Sequence, residues 1–266
     1  MDIMDTTIDK SAPRVRRMFG EIAGRYDFLN HLLSLNIDRY WRWQAVRRVP
    51  PTPGTKILDM CTGTGDLALA YHRAAGGAVQ IVGADFCREM LTIGRQKAMQ
   101  SRSGTAGSNG ELTFIEADAM QIPLPDNNFD IVSVAFGLRN IEDTATGLTE
   151  MVRVCAPGGR VAVLEFSTPE WQPLKAVYSW YFRHLLPRIG QFFARNNHSA
   201  YSYLPQSVGE FPQGEQLAER MRAAGLLEVD YQTLTFGVAT LYVGKKGEGG
   251  ASYKLIHNEQ LARRNA

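Results

Sequence analysis

The part of the sequence with the clearest chemical content is a glycine-rich turn at residues 58–67, Leu-Asp-Met-Cys-Thr-Gly-Thr-Gly-Asp-Leu. An apolar strand pattern leads into Asp59, and a helical pattern begins at Asp66. Gly63 and Gly65 have no Cβ atom, so the backbone around them can approach a ligand closely. In an open α/β sheet such a turn lies at the carboxyl end of the strand, where cofactors bind.

Two classes of cofactor are compatible with this turn. Residues 63–68 fit G-x-G-x-x-A, the fingerprint of dinucleotide binding, which would indicate a nicotinamide-dependent dehydrogenase. A pyrophosphate binds at the positive N-terminus of a helix, and Asp59 and Asp66 would repel it. S-adenosylmethionine carries a sulfonium and an α-ammonium group, which carboxylates attract. The charges therefore favour S-adenosylmethionine, and the dehydrogenase stays open as the alternative class.

Acidic residues also follow the next two predicted strands. Asp85 ends the second strand and can accept hydrogen bonds from both hydroxyls of a ribose. A cap for the following helix is its structural alternative. Asp118 and Ala119 follow the third strand, where the carboxylate could accept from an adenine amino group and the backbone N–H could donate to a ring nitrogen. An ordinary turn aspartate explains Asp118 equally well.

The elements around these residues alternate regularly. Strand patterns at 56–60, 79–85, 112–116, 129–136 and 160–166 alternate with helical patterns at 66–73, 88–100 and 144–154. Such alternation predicts a parallel sheet with right-handed crossovers. Two last strands, 227–234 and 238–245, flank Thr235-Phe236-Gly237 and predict an antiparallel hairpin. We predict an α/β, Rossmann-like, doubly wound and mostly parallel sheet with a C-terminal antiparallel hairpin, as in class I methyltransferases.

The length bounds the number of domains. With 266 residues, 44% of them hydrophobic, the chain can build one large domain. One helical stretch opens at Pro13, and a second runs from Phe28 through Trp41 until prolines stop it at Pro50. We predict flexible tails at 1–12 and 247–266 and a single domain at 13–246, which includes an N-terminal helical cap at 13–50 and a helical insertion at 169–209.

Charge and cysteine content exclude several classes. Lys and Arg number 29 against 27 Asp and Glu, so nothing indicates a nucleic-acid partner. The three cysteines are not at metal-ligand spacing, so we predict no metal site and reduced thiols in the cytoplasm. The acidic N-terminus has no apolar run typical of a secretory signal. Charged residues such as Lys175 and Arg183 interrupt the apolar stretch at 171–193, which therefore is not a spanning helix.

Three further groups of residues stand out along the chain. They are Tyr26-Asp27 with Asn30, Ser34 and Trp41; residues 136–140, Phe-Gly-Leu-Arg-Asn; and Arg153-Val154 with Pro157-Gly158-Gly159 and Glu165-Phe166-Ser167. These groups resemble, in the same order, the signatures of the ubiquinone/menaquinone biosynthesis C-methyltransferase family. The resemblance runs from about Val15 to Gly244, and its three ordered motifs make it more specific than the glycine turn alone.

The resemblance implies transfer of a methyl group from S-adenosylmethionine to a ring carbon of a polyprenyl quinol. By similarity, the cofactor-binding positions are Thr64, Asp85, Asp118 and Ala119, beside Asp59, Gly63 and Gly65 of the turn. The chain departs from the family at Asp38, where some members have a histidine, so the resemblance assigns it no catalytic role. It also departs at Ala135, where some members use a serine near the cofactor.

The same resemblance gives expectations for catalysis. Arg139 and Asn140 follow the fourth strand, at the ligand-binding edge; the arginine would hold a phenolate or a water, and the asparagine would orient the other hydroxyl. Without the resemblance, a surface ion pair would be the better explanation of Arg139. Tyr26 and Asp27 would close over the site, with Asp27 or a water as proton acceptor and His31 as a further candidate.

The aromatic insertion has four open interpretations. Its residues could line a channel for the polyprenyl tail or contact the inner face of the membrane, with arginines facing the lipid head groups. They could equally cap the sheet, or bury themselves in a homodimer. We expect a cytoplasmic enzyme acting on demethylmenaquinol, with the benzoquinol of ubiquinone biosynthesis as the alternative substrate. The aromatic and large apolar residues of the insertion are Trp171, Tyr178, Trp180, Tyr181, Phe182, Leu185, Leu186, Ile189, Phe192 and Phe193.

Overall fold

One mixed seven-stranded sheet organises the protein. The computed structural model describes residues 9–102, 110–169, 171–181 and 198–248. The strands are β1 Lys56–Met60, β2 Gln80–Asp85, β3 Glu111–Glu116, β4 Phe129–Ala135, β5 Cys155–Phe166, β6 Leu226–Leu234 and β7 Ala239–Lys246. Their order is β3-β2-β1-β4-β5-β7-β6, and β7 runs antiparallel to both of its neighbours. The predicted parallel sheet with a terminal hairpin is confirmed.

Helices cover both faces of the sheet. They are α1 Ala12–Leu33, α2 Ile37–Arg48, α3 Asp66–Ala74, α4 Arg88–Arg102, α5 Thr144–Val154, α6 Gln172–Trp180, α7 His198–Glu210 and α8 Glu215–Ala223. Single 3-10 turns occupy Leu138–Asn140 and Thr235–Gly237. The central strands are buried on both sides and therefore read as continuous apolar runs.

The predicted boundary within the N-terminal cap was wrong. The sequence indicated a second helical stretch from Phe28, but α1 continues unbroken to Leu33 and the chain reverses afterwards. Leu35 and Asn36 adopt left-handed φ values of 52° and 62°, and the Asn36 N–H donates to the His31 carbonyl at 2.8 Å. Asparagine tolerates this conformation, but neither glycine nor proline marks the reversal, so the helical periodicity hid it.

The cap is fixed to the sheet through one tryptophan. Trp41 on α2 is buried, and its Nε1 donates to the Thr235 hydroxyl at 2.7 Å. Its ring packs against Phe136 and Phe166, which follow β4 and end β5. The cap therefore sits over the carboxyl ends of the central strands and against the connection between β6 and β7.

The second glycine of the turn is required by packing. Gly65 has a φ of 81°, and a Cβ atom there would lie 2.8 Å from the ring of Phe114. The same ring would meet a Cβ atom at Gly83 at 2.9 Å and at Gly94 at 2.8 Å. Three glycines from β2, α4 and the turn thus form the slot that holds Phe114.

A pair of alanine substitutions tests this slot. Gly65→Ala should lower the free energy of unfolding by about 2–5 kcal/mol, because left-handed strain adds to overpacking. Gly63→Ala should cost only about 1–2 kcal/mol, because Gly63 has a φ of 56° but nothing within 4 Å of the added atom. Urea unfolding of both variants, without cofactor, measures the difference. Equal losses would contradict the packing explanation.

Candidate active site

Five of the predicted site residues meet in one cavity at the carboxyl edge of the sheet. Gly63, Asp85, Asp118, Ala119 and Asn140 all line this edge cavity. The N-terminal segment and α1 cover it. Its free volume is about 70 Å³, below the roughly 300–1,000 Å³ typical of ligand sites.

Asp85 combines the two roles that the sequence left open. Its Oδ1 accepts from the Cys87 N–H at 2.8 Å, immediately before α4, and its Oδ2 accepts from the Gly63 N–H at 2.8 Å. Burial raises the pKa of this carboxyl to about 6, against the lowering effect of those backbone hydrogen bonds. Each carboxylate oxygen has a second lone pair. Asp85 can therefore shape the turn and still accept from a ribose.

Asp59 lies beneath the turn. It is fully buried and accepts from the Thr62 hydroxyl at 2.6 Å and from the Ser133 hydroxyl on β4 at 2.7 Å. Burial raises its pKa to about 6. The carboxylate ties the glycine turn to the neighbouring strand and does not line the edge cavity. A direct contact of Asp59 with the cofactor stays a prediction.

Thr64 and Asp27 lie on the outer side of the turn. The Thr64 hydroxyl donates to Asp27 Oδ1 at 2.5 Å, and Lys97 on α4 donates to Asp27 Oδ2 at 2.8 Å. Lys97 also pairs with Asp66. Consecutive side chains on a helix point about 100° apart, so Tyr26 faces the edge cavity while Asp27 faces away from it. The sequence analysis expected Asp27 to act as proton acceptor at the substrate ring. The structure instead directs its side chain away from the edge cavity, toward Thr64 and Lys97.

A larger and mostly apolar cavity adjoins the edge cavity. This apolar cavity has a volume of about 310 Å³, within the range of small-molecule sites. Phe19, Tyr26 and Phe136 line both cavities and form the wall between them. A ligand in one cavity can therefore come close to a ligand in the other. Other residues around the apolar cavity are Met18, Ile22, Leu29, Leu33, Ile37, Trp41, Phe166 and Val238.

Arg139 lines the apolar cavity from a buried position. Its Nη1 pairs with Glu165 Oε1 at 2.6 Å and donates to the Phe136 carbonyl at 2.5 Å. Its Nε donates to the Ser207 hydroxyl at 3.4 Å, and its guanidinium lies over the Phe166 ring. None of the described residues accepts from Nη2, so two of the five N–H donors stay available to a ligand oxygen.

Glu165, the ion-pair partner of Arg139, is a residue to which sequence reasoning assigned no role. The sequence analysis named it only within a family motif. Glu165 is the last residue but one of β5, and the neighbouring strand β4 leads into the turn that carries Arg139. Residues at the carboxyl ends of adjacent parallel strands meet at the same edge of the sheet. The sequence alone could therefore have predicted that Glu165 lies close to Arg139. Arg139 is therefore not in a surface ion pair but in a buried one.

Asn140 carries an unsatisfied polar atom at the edge cavity. Its Nδ2 donates weakly to the Phe136 carbonyl at 3.4 Å, while its buried Oδ1 has no partner among the described residues. Buried polar atoms are normally hydrogen-bonded, so this atom is available to accept a hydrogen bond from a ligand or a water molecule. Together with two carboxylates and a glycine turn, it fits S-adenosylmethionine, which has hydroxyl, amino and ammonium donors. The fold and this cavity define a class I S-adenosylmethionine-dependent methyltransferase.

Comparison with known proteins names the family. The profile of the ubiE/COQ5 methyltransferase family matches residues 6–246, and the chain belongs to this family. The ubiquinone/menaquinone biosynthesis C-methyltransferase UbiE of Geobacter sulfurreducens is 45% identical over 90% of this chain and 91% of its own. The demethylmenaquinone methyltransferase of Deinococcus radiodurans is 45% identical over 87% of this chain and 92% of its own.

Solved structures agree on the fold. A methyltransferase structure from Thermotoga maritima, described as a possible histamine N-methyltransferase, superposes with a TM-score of 0.60 at 18% identity, covering 87% of this chain and 99% of its own. Family membership decides between the two classes that the glycine turn left open. The chain is an S-adenosylmethionine-dependent methyltransferase and not a nicotinamide dehydrogenase.

Acidification should weaken cofactor binding. Because burial raises the pKa of Asp85 to about 6, its ionised form is disfavoured in the folded protein and is lost as the pH falls through 6. Ribose hydroxyls donate best to the ionised carboxylate. The dissociation constant of S-adenosylmethionine should therefore be about tenfold larger at pH 5 than at pH 7.5. Isothermal titration at constant ionic strength checks this, and an unchanged slope in Asp85→Asn would assign the dependence to another group.

Proposed function

We propose that this protein transfers a methyl group from S-adenosylmethionine to a ring carbon of a polyprenyl quinol, converting demethylmenaquinol to menaquinol. One observation carries the proposal: an apolar cavity that holds a buried arginine adjoins the cofactor cavity across a shared wall. The names of the relatives from Geobacter and Deinococcus support quinone methylation.

The reaction needs alignment, and the two cavities supply it. Bound S-adenosylmethionine provides an electrophilic methyl group. Phe19, Tyr26 and Phe136 hold the quinol ring at the wall between the cavities, so that one ring carbon faces that methyl group. Alignment in a water-excluding pocket can lower a barrier by about 7–11 kcal/mol.

Arg139 stabilises the charge that develops on the substrate. When the hydroxyl proton leaves, the oxygen takes on phenolate character, and its negative charge makes the ring carbon a better nucleophile toward the methyl group. Arg139 lines the apolar cavity, so a ring oxygen held there can approach its guanidinium. A preorganised donor in a dry site is worth far more than one in water. Glu165 and Phe166 hold the guanidinium in place.

The preference for a naphthoquinol follows from the aromatic wall. Phe136 and Phe166 have ring centroids 4.4 Å apart, and Trp41 packs against both. A fused bicyclic ring buries more apolar surface against such a wall than a single ring does. The corresponding benzoquinol is the second candidate substrate.

A methyl-transfer assay tests the function. The protein is supplied with S-adenosylmethionine and either chemically reduced demethylmenaquinol or the matching demethyl benzoquinol, and product masses are read. A mass gain of one methyl group, faster with the naphthoquinol, supports the proposal. A faster reaction with the benzoquinol would move the protein to ubiquinone biosynthesis. Cofactor binding without methylation of either would refute quinol methylation.

We further propose that the mouth of the apolar cavity contacts the membrane in which a polyprenyl tail resides. Leu35 lines the cavity and is 77% exposed, and Phe236 follows the cavity residue Thr235 and is 81% exposed. Both sit on tight turns with positive φ. Apolar side chains at such tips favour an interfacial contact. Within the described residues, no helix is long and apolar enough to cross a bilayer.

Flotation with vesicles tests this contact. Replacing both Leu35 and Phe236 with serine should lower vesicle binding about tenfold, because each side chain loses apolar area buried in the interface. Met99→Ser on α4, at a position that is 69% exposed, serves as the control. Unchanged flotation of the double variant would refute this surface. Loss of a dimer in size-exclusion chromatography would assign this surface to contact with a second copy.

Residues 182–193 of the aromatic insertion, which the sequence analysis also considered for membrane contact, lie outside the described residues.

A further inference from the structure

A buried carboxylate, that of Asp38, also lines the apolar cavity. Asp38, in the first turn of α2, is 4% exposed and accepts from the Ser34 hydroxyl at 2.7 Å and from Arg42. Its Oδ2 lies 2.8 Å from His31 Nδ1, within hydrogen-bond distance. An unpaired carboxylate in an apolar wall would be costly, and these donors offset that cost. Burial raises the pKa of Asp38, but the hydrogen bond from Ser34 and the charge of Arg42 hold it below its ordinary value.

His31 connects the Asp38 carboxylate to the protein surface. Its side chain is 32% exposed and lines an outer cleft on the far side of α1 and α2, together with Asp27, Asp66 and Lys97. Asp38 lines the apolar cavity and not this cleft. The pair therefore forms a hydrogen-bonded connection of two titratable groups between the buried cavity and solvent.

A metal ion is a poor explanation of the same cluster. Ligand atoms of His31, Asp38 and Asp66 lie within 4.8 Å of one another. However, the Arg42 guanidinium pairs with both carboxylates, with Asp66 at 3.2 Å. A cation would have to displace this arginine. Arg42 and Ser34 instead fix the position of the Asp38 carboxylate beside His31.

We propose that Asp38 and His31 carry the reaction's proton from the quinol to solvent. This inference rests on the proposed function. As the new C–C bond forms from the ring's π electrons, the O–H bond of the quinol breaks and its proton passes to Asp38. Asp38 gives the proton to Nδ1 of His31, and the proton on Nε2 leaves to water in the outer cleft. The keto form of the ring then loses its ring C–H proton and its oxygen regains one. One proton in total is released, and the electron pair of the broken C–S bond stays on sulfur.

Asp38 can serve although it is a weak base. The hydroxyl of a ring that has gained a methyl group resembles a protonated ketone, which is far more acidic than a carboxylic acid. A carboxylate that is ionised at neutral pH therefore accepts this proton readily. The charged groups that surround the pair are Asp27, Arg39, Arg42, Asp66, Arg73 and Lys97, from α1, α2, α3 and α4.

Chemical rescue provides the test. In His31→Ala, kcat for demethylmenaquinol should fall about a hundredfold, with the KM for quinol and the dissociation constant of S-adenosylmethionine unchanged. Because His31 opens to the cleft, added imidazole should restore kcat in a saturable way. Arg73→Ala, which alters the same cleft, should keep wild-type kcat and show no response to imidazole.

A second variant distinguishes loss of proton transfer from loss of folding. Asp38→Asn keeps the shape of the side chain but cannot carry the proton, so kcat should fall and imidazole should not restore it, even in combination with His31→Ala. The log of kcat against pH should lose its acidic limb in His31→Ala. If His31→Ala keeps wild-type kcat and pH dependence, or if imidazole fails to raise its activity, the inference is overturned while methylation by the wild type leaves the proposed function intact.

Discussion

Arg139→Ala is expected to lower the free energy of unfolding by about 3–5 kcal/mol and kcat by about 100- to 1,000-fold. Removal of the guanidinium leaves Glu165, which is 1% exposed, without its cationic partner. It also removes the donors that face the apolar cavity. The buried ion pair therefore adds a loss of stability to the loss of turnover. Urea unfolding and a methyl-transfer assay measure the two effects.

A double variant separates the two effects. Arg139→Met combined with Glu165→Leu replaces the buried pair with apolar side chains, which is often neutral or stabilising. We expect this variant to regain most of the lost stability and none of the turnover. Its affinity for S-adenosylmethionine should stay close to that of the wild type, because Arg139 does not line the edge cavity. Wild-type turnover in the double variant would show that Arg139 acts only through folding.

Asp85→Ala is expected to raise the dissociation constant of S-adenosylmethionine at least about 100-fold. The substitution removes the acceptors of two ribose hydroxyls, and each hydrogen bond to a charged group is worth about 1.5–3 kcal/mol. It also leaves the N–H groups of Gly63 and Cys87 without an acceptor. Asp85→Asn, which keeps one oxygen, should fall between the alanine variant and the wild type.

A neighbouring carboxylate provides the matched control. Glu116 is the register partner of Asp85 on β3, but its side chain pairs with Arg16 at the surface, at 2.9 Å, and lies outside the edge cavity. Glu116→Gln should leave cofactor affinity unchanged in isothermal titration. If both substitutions weaken binding equally, the loss reflects general damage to the strand ends and not a ribose contact.

Local sequence features predicted most of the secondary structure and the sheet of this protein. The strand–helix alternation, the terminal hairpin and the position of the glycine turn all follow from periodicity and turn residues, which depend on neighbours along the chain. Asp85, Asp118 and Ala119 were found because a residue at the end of a parallel strand must lie at one edge of the sheet. The boundary between α1 and α2 was missed because a left-handed asparagine interrupts no apolar pattern.

The slot around Phe114 was beyond sequence reasoning. Gly83 and Gly94 lie on β2 and α4, and only their approach to one ring explains why neither carries a side chain. The same holds for Asp59, whose distance from the edge cavity depends on how Thr62 and Ser133 surround it. Such contacts join residues far apart in the chain, and no spacing rule encodes them.

The sequence by itself determined the fold class, the cofactor class and the family, because strand ends, glycine turns and ordered motifs act locally. Only the tertiary structure decided which side chains share a cavity. The rotation of α1 turns Tyr26 to the edge cavity and Asp27 to Lys97. The reversal before α2 brings Asp38 to His31. Such outcomes depend on how a helix is rotated against the sheet, and that rotation is set by the packing of the whole core.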